Sequence, residues 1–377
     1  MNVIMSVYHG LKGVVALESD ISRVDGVNGI LEYRGYNIND LARNSSFEEV
    51  AFLLLNGYLP AKAELNDFSQ ELVERRELPG KIIGVLYNLP TINYPTVILR
   101  TIYSYLGDMD HKIFVINPEE NRRKAIDLIA KTPTIVAYYQ KIREDKPVTH
   151  PNKDLGHAAN FLWMLKGEEP ERFYEKALDL DLVLHAEHTL NASTFAARIA
   201  ASTLSDMYAG VVSATGTLFG PLHGGASQKV IEMLRELKGK DKKDIEEWVD
   251  EKLQRNERIM GFGHRVYEIL DPRAEELRES ARKLDILEGN DWISLSDELA
   301  EIVYQKKGIY PNVDFYAASV YANLGIPDDQ YINMFVMGRI VGWLTHMMDQ
   351  YQNNRIVRPL QKYVGEEKRA FIQIDKR

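Results

Sequence analysis

Residues 331–348 read YINMFVMGRIVGWLTHMM, an apolar run with a single arginine, Arg339, near its centre. The run lies in a segment from Asp328 to about Gln352 that we predict to be a long helix in mostly apolar surroundings. A guanidinium keeps its charge and is rarely buried without an anionic partner. Either a carboxylate of the protein or an anionic ligand is therefore expected to meet Arg339.

Helix signals dominate most of the remaining chain, so we predict a mainly α-helical protein. Ser46 and Glu49 form a capping-box pattern, and Asn117-Pro118 is typical of an N-cap followed by a proline at the first helical position. Other helices are predicted at 154–166, 170–206, 244–260, 271–287, 296–306 and 312–324.

A small β-hairpin is predicted near the amino terminus. Residues 14–19 (VVALES) and 29–36 (GILEYRGY) are short β-like runs, and Asp25-Gly26 and Asn28-Gly29 between them favour tight turns.

Length and composition describe a water-soluble globular protein. The 377 residues exceed the size at which one hydrophobic core usually stops growing, so two domains are expected. The net charge of −9 argues against a protein that mainly coats nucleic acid or an anionic membrane, and the lack of cysteine excludes thiolate catalysis and disulfide scaffolds. The first fifteen residues show no secretory-signal pattern, so we expect a cytoplasmic protein.

One uncharged stretch, residues 207–228, has the length of a membrane span. Five glycines and Pro221 interrupt it, and several of its residues are polar. A tightly packed segment of a soluble protein is therefore predicted instead.

Three histidines stand in unusual contexts: His188 in HAEHTLNAST, His223 in GPLHGGA and His264 in MGFGHRVY. Each taken alone is also typical of a turn or a helix cap. His185 and His188 are spaced three apart and share a face if both are helical, which raises the question of a metal site. The stretch is not HExxH and no second ligand cluster follows, so no metal site is predicted.

Asp314 and two further arginines complete the inventory of candidate residues. Asp314, in PNVDFY, is flanked by apolar residues; it either caps a helix or is a base of raised pKa suited to removing a proton from carbon. Arg273 follows Asp271-Pro272 at a predicted helix start, and Arg358 precedes a proline in an extended tail. With no phosphate-binding loop, these residues indicate an α-rich enzyme acting on a small acidic metabolite, without naming the reaction.

The segments GPLHGGA (220–226), MGFGHRVYEILDPR (260–273) and PNVDFY (311–316), in this order, resemble the citrate synthase family. HAEHTLNAST, MGR (337–339), RIVRP (355–359) and GILEYRGYNINDLA (29–42) match its other landmarks, so the resemblance covers essentially the whole chain. The length and the HRVY form are most similar to the short archaeal and bacterial members.

The resemblance implies a two-domain citrate synthase fold, nearly all α, in a homodimer. The large domain is expected at 1–223 and 320–377 and the small domain at 224–319, closing over a shared cleft. The implied reaction joins acetyl-CoA to oxaloacetate and hydrolyses citryl-CoA to citrate and CoA. No cofactor and no metal are implied, because the CoA thioester is itself a substrate.

The resemblance also implies roles for individual residues. Asp314 matches the base, His223 the donor to the thioester oxygen and His264 the group that polarises the ketone of oxaloacetate. The implied oxaloacetate-binding residues are His188, Arg273, Arg339 and, from the neighbouring subunit, Arg358.

CoA recognition is the part in which the sequence departs from the family pattern. The implied CoA-binding residues are Arg258, Gly261, Phe262 and Arg265. Glu268 stands where many relatives carry a basic residue facing the CoA phosphates, so the phosphate contacts are expected to shift to other cations.

Three other functions compete with this interpretation. A 2-methylcitrate synthase uses propionyl-CoA with the same machinery, and one methylene changes binding by only about 1–3 kcal/mol. A metal-dependent hydrolase using His185, His188 and His223 is the alternative from another class. An inactive paralogue that only binds acids is the third.

Overall fold

The computed structural model describes residues 7–92 and 94–377, and these form sixteen α-helices and one small sheet. The first six residues of the stretch examined for a secretory signal lie outside this description. The helices of the first half are α1 (Ile38–Asn44), α2 (Phe47–Asn56), α3 (Lys62–Arg75), α4 (Gly80–Asn88), α5 (Pro95–Met109), α6 (Pro118–Arg143), α7 (His157–Lys166) and α8 (Arg172–His185). Those of the second half are α9 (Ala192–Ser202), α10 (Met207–Leu218), α11 (Ala226–Leu237), α12 (Lys242–Gln254), α13 (Pro272–Glu288), α14 (Trp292–Lys307), α15 (Val313–Asn323) and α16 (Tyr331–Gln352).

Helix α16 lies at the centre of the core and confirms the prediction made from the apolar run. It packs against α2, α6, α8, α9 and α10, and nearly every residue from Tyr331 to Met347 is buried. The α-helix begins three residues later than predicted, because Asp328–Gln330 form a short 3₁₀ turn. Within residues 7–92 and 94–377 no helix is long and apolar enough to cross a membrane.

The amino-terminal sheet has three antiparallel strands: β1 (Ser22–Asp25), β2 (Ile30–Tyr33) and β3 (Tyr36–Asn37). The predicted turn joins β1 to β2, where the Asp25 side chain accepts the backbone N–H of Asn28 at 3.1 Å. The prediction of a strand at 14–19 is wrong, since that stretch is largely exposed and pairs with no strand of the sheet. Ser22–Asp25 form the first strand instead.

The single helix predicted at 170–206 is wrong in a way that matters for the site. The chain leaves α8 at His185 and re-enters a helix at Ala192, and Thr189 between them has a left-handed φ of 51°. Asn191 then caps α9 by accepting the backbone N–H of Thr194 at 3.1 Å. His188 therefore lies in a loop, and His185 and His188 do not share a helix face.

Two predicted helices also have different ends. The helix predicted at 154–166 begins at His157, and the one predicted at 244–260 ends at Gln254, shortly before Asn256 with its φ of 53°. The domain boundaries at 223/224 and 319/320 remain predictions.

Candidate active site

Arg273 is held in place by its own helix cap. It is 2% exposed and donates from Nε and Nη2 to the two carboxylate oxygens of Asp271, at 3.0 and 2.7 Å. Asp271 also accepts the backbone N–H of Arg273 at 3.1 Å and so begins α13. The guanidinium is therefore fixed in orientation before any ligand arrives.

Arg339, from the middle of α16, is 1% exposed. Its Nε donates to the carbonyl oxygen of His185 at 2.6 Å, and its guanidinium lies 4.8 Å from the ring centre of Phe335. Burial lowers its pKa to about 10, although the charge of Glu187 opposes this. Among the described residues its two terminal nitrogens have no hydrogen-bond partner, so they are available to an anionic ligand.

His188, His264 and Tyr267 form a tight aromatic group. The ring centres of His188 and His264 are 5.2 Å apart, and Nε2 of His188 lies 3.1 Å from the Tyr267 hydroxyl. Nδ1 of His264 accepts the backbone N–H groups of Val266 and Tyr267 at 3.0 and 3.1 Å. Burial and the nearby charge of Arg273 lower the pKa of His264 to about 4. The neutral ring therefore carries its proton on Nε2, ready to donate.

His223 precedes α11 and is oriented by Ser193. The backbone N–H of Ser193 points at Nε2 of His223 at 3.3 Å, so this nitrogen is an acceptor and the proton resides on Nδ1. Ser193 is itself held by Asn191, at 2.8 Å, and by Trp343, whose indole N–H donates to its hydroxyl at 3.1 Å. Burial and the charge of Arg339 lower the pKa of His223 to about 4, which keeps the ring neutral.

Asp314 lies in the first turn of α15, capped by Asn312 at 3.1 Å. The residue is half-buried, but its Oδ1 is fully buried and has no hydrogen-bond partner among the described residues. Burial raises its pKa to about 6, although the charges of His185, Arg273 and Arg339 oppose this. The charge of Arg339 also lowers the pKa of His223, and that of Arg273 lowers the pKa of His264, so each of these histidines shares a cation with Asp314.

The comparisons with known proteins show which family the chain belongs to. The family model described as "Citrate synthase, C-terminal domain" matches residues 10–360. Citrate synthase 2 of Bacillus subtilis is 44% identical, covering 99% of this chain and 100% of that protein. The chain belongs to the citrate synthase family.

Two further relatives carry the names of two different activities, citrate synthase and 2-methylcitrate synthase. The structure of Thermoplasma acidophilum citrate synthase, a ternary complex with carboxymethyl-CoA and oxaloacetate, matches with a TM-score of 0.93 at 30% identity, over 98% of this chain and 99% of that one. A 2-methylcitrate synthase of Mycobacterium tuberculosis is 41% identical, covering 96% of this chain and 91% of that protein. A citrate synthase and a 2-methylcitrate synthase thus match this chain at similar sequence identities, 44% and 41%.

The loop expected to bind CoA is joined to the segment that carries Asp314. Gly263 N–H donates to the Tyr310 carbonyl at 2.9 Å, and Asn312 N–H donates to the Gly261 carbonyl at 2.8 Å.

Gly261 has φ of 81°, and a Cβ there would lie 2.7 Å from Val230, so only glycine fits. The ring of Phe262 packs 4.7 Å from that of Phe315, next to Asp314.

The charged residues expected near CoA are all exposed. Arg258 and Glu268 point to the surface, and Arg265 donates to the carbonyl of Gly10 at 2.9 Å. Their roles in binding CoA remain predictions.

Among the expected oxaloacetate-binding residues, Arg358 lies apart from the cluster in this chain. It lies in an exposed extended tail and forms no hydrogen bond or ion pair with the described residues. Among residues 7–92 and 94–377, no group of three or more His, Cys, Asp or Glu is arranged to hold a metal ion.

Several residues of the site were not singled out from the sequence. Ser193, Tyr267 and Asp271 lie inside the quoted motifs, but their side chains face other protein groups and carry no signal in the sequence alone. Glu187 is a further case: it is fully buried and accepts from Ser22 at 2.9 Å and from His346 at 3.1 Å. The available clue in the sequence was the position of Glu187 between His185 and His188 within the motif HAEHTLNAST.

Proposed function

We propose that this chain condenses acetyl-CoA with oxaloacetate and hydrolyses the citryl-CoA that forms to citrate and CoA. The observation that carries the proposal is Asp314, a carboxylate with a raised pKa and an unpaired buried oxygen, linked through Arg273 and Arg339 to two neutral histidines. Membership of the family supports the same reaction.

In the first step, Asp314 removes a proton from the methyl group of acetyl-CoA. A carboxylate whose pKa is raised by burial is a stronger base than an exposed one. Nδ1–H of His223 donates to the thioester oxygen as negative charge develops there, and a neutral donor with a low pKa suits that task. Loss of one such donor typically lowers turnover by about 10²–10³-fold.

In the second step, the new enol or enolate carbon attacks the ketone carbon of oxaloacetate. Arg339 and Arg273 bind the carboxylates, and Nε2–H of His264 polarises the ketone and protonates the developing alkoxide. His188, held by Tyr267, borders the same space. Water then attacks the thioester carbonyl, the carbon–sulfur bond breaks, and CoA leaves as the thiol.

The active site is proposed to be completed by a second protomer. Arg358, exposed on an extended tail with no hydrogen bond or ion pair to the described residues of its own chain, fits a role in the oxaloacetate site of a neighbouring subunit. Closure of the small domain over bound oxaloacetate is proposed to exclude water and to order the CoA site. A place in the tricarboxylic acid cycle is part of the same proposal, whereas the cytoplasmic location and the lack of a cofactor stay predictions.

The second candidate function is 2-methylcitrate synthesis, favoured by the 41% identical 2-methylcitrate synthase. A thiol-release assay with oxaloacetate and either acetyl-CoA or propionyl-CoA distinguishes the two. We expect the higher kcat/KM with acetyl-CoA; a higher value with propionyl-CoA would reverse the assignment. Reactions without oxaloacetate serve as the control for simple thioester hydrolysis.

A further inference from the structure

A cavity outside the proposed active site lies between α2, α3, α7 and α8. Its volume is about 560 Å³. We call it the α3–α8 cavity and define it by the charged or titratable residues of its lining that the argument uses: Glu48, Arg76, His157, Glu175 and Asp179. None of these residues takes part in the proposed reaction.

The α3–α8 cavity has ionisable groups in its wall without matching ion pairs. Arg76 is 2% exposed and Glu48 is 9% exposed. Arg76 donates to the carbonyl oxygens of Asn152 and Leu155, at 3.2 and 2.8 Å, and Glu48 accepts the backbone N–H of His157 at 2.7 Å. No ion pair within 4 Å involves Arg76, Glu48, Glu175 or Asp179 among residues 7–92 and 94–377. The charge of Glu48 opposes the burial that lowers the pKa of Arg76 to about 10, so the two groups act on each other without forming an ion pair. Buried charge outside an ion pair is costly to keep for packing alone.

The carboxylates of Glu48, Glu175 and Asp179 line this cavity. A Cβ placed on Gly156 would lie 3.4 Å from Oε1 of Glu48 and 3.8 Å from Oε1 of Glu175, so both carboxylates approach the same point. Asp179 lies one helical turn beyond Glu175 on α8 and accepts the backbone N–H of Phe47 at 3.0 Å. Burial, Glu48 and Glu175 raise the pKa of Asp179 to about 8. A positive charge between the three groups would relieve this repulsion.

Unpaired polar atoms in the same wall also indicate a ligand. His157 is 2% exposed, and neither ring nitrogen has a hydrogen-bond partner among the described residues. Nε of Arg76 is likewise buried and unpaired. Burial lowers the pKa of His157 to about 3, so this ring is neutral and does not compensate the carboxylates. Buried polar groups are normally hydrogen-bonded, so several exceptions around one cavity need an explanation.

We propose that the α3–α8 cavity binds a small amino acid, with its ammonium group between Glu48, Glu175 and Asp179 and its carboxylate toward the rim. The rim carries exposed Lys153, Arg172 and Lys176, which attract a carboxylate and repel a second ammonium group.

Calorimetric titration of the full-length protein with three kinds of four-carbon ligand tests the charge pattern: 4-aminobutanoate, butane-1,4-diamine and butanoate. Shorter and longer ω-amino acids, from glycine to 6-aminohexanoate, extend the first arm. We expect an ω-amino acid to bind at least tenfold more tightly than the diamine, and butanoate not to bind. Equal or tighter binding of the diamine or of butanoate overturns the proposal, and so does the absence of binding by every amino acid up to 10 mM.

The same titration gives a second readout that unspecific binding does not produce. An ammonium group beside Asp179 favours its ionised form, so binding at pH 7 should release protons, measured as a difference in heat between phosphate and Tris buffers. Asp179→Asn keeps an acceptor for Phe47 N–H and should abolish the release. Glu175→Gln, which breaks no hydrogen bond with the described residues, should weaken binding at least tenfold, whereas the exposed Glu251→Gln on α12 should change nothing. Unchanged proton release in Asp179→Asn contradicts the proposed position of the ligand.

Discussion

The hydroxyl oxygen of Ser193 lies 2.8 Å from Nε2 of His223, and the backbone N–H of the same serine points at that nitrogen from 3.3 Å. One residue thus fixes both the tautomer and the orientation of the imidazole. Because Ser193 is fully buried at the start of α9, the geometry depends on the break between α8 and α9.

Ser193→Ala is expected to lower kcat about tenfold, which corresponds to a rise of roughly 1.4 kcal/mol in the activation free energy. The variant lacks the hydroxyl that helps to orient His223 and leaves the Trp343 N–H without its acceptor. Binding of oxaloacetate should be unchanged, since Ser193 contacts none of the arginines. Steady-state kinetics with calorimetry for oxaloacetate measures both quantities. Ser213→Ala, at an exposed site on α10, is the matched control. Weaker oxaloacetate binding with normal kcat would contradict this role.

The pH dependence of turnover should report Asp314. The base must be ionised, so kcat falls as the pH drops through the pKa of Asp314, about 6, and not through the usual carboxylate value near 4. His223 and His264 stay neutral over that range because the pKa of each is about 4. Asp314→Asn should lower kcat by about 10²–10⁴-fold and leave oxaloacetate bound. A pH profile flat from pH 7 down to 5 would rule out Asp314 as the base.

Mixed dimers test whether Arg358 acts across the subunit interface. A heterodimer of one Asp314→Ala chain and one Arg358→Ala chain contains one intact site if Arg358 works in the neighbouring subunit, and none if it works in its own. We therefore expect about half of the wild-type activity from purified heterodimers, although each parent homodimer is impaired. Activity no higher than that of the Arg358→Ala homodimer would place the arginine in its own site or outside it.

Gly342 on α16 is predicted to be a stability requirement. An added Cβ would lie 2.2 Å from Oε2 of Glu187 and 2.5 Å from the carbonyl oxygen of Ala186. Gly342→Ala should therefore destabilise the protein by about 1–3 kcal/mol in denaturant unfolding. Gly84 occupies an exposed position of α4, where an added Cβ would meet nothing within 4 Å. Gly84→Ala should therefore stabilise the protein by about 0.5–1 kcal/mol. Equal changes in the free energy of unfolding at the two positions would show that close packing around Gly342 does not determine the effect of the added methyl group.

The sequence predicted the helical class, the core helix α16 and the residues of the cluster because periodicity and motifs are local signals. Asp271 was predicted at the start of α13 and caps it, and Asn312 does the same for α15. The break after His185 was missed because residues 170–206 keep a helical pattern, whereas tertiary contacts of the 186–191 loop decide the structure. Ser22, which is far from this loop in the sequence, donates to Glu187 and accepts the backbone N–H of Thr189 at 3.1 Å.

The orientation of the site groups was also beyond the sequence. That Asp271 binds Arg273, while Arg339 keeps its terminal nitrogens unpaired, depends on which elements pack together. The same holds for the tautomers of His223 and His264, which are set by backbone N–H groups rather than by any side chain that a motif specifies.

Arg339, Trp343 and His346 occupy one face of α16 and contact His185, Ser193 and Glu187 in turn. Each residue of a helix is rotated by about 100° from the one before. Inserting or deleting a single residue after Met337 would therefore turn all three side chains away from their partners at once. Evolution and protein engineers can vary side chains along this helix far more readily than its length, so insertions and deletions should accumulate in other parts of the chain.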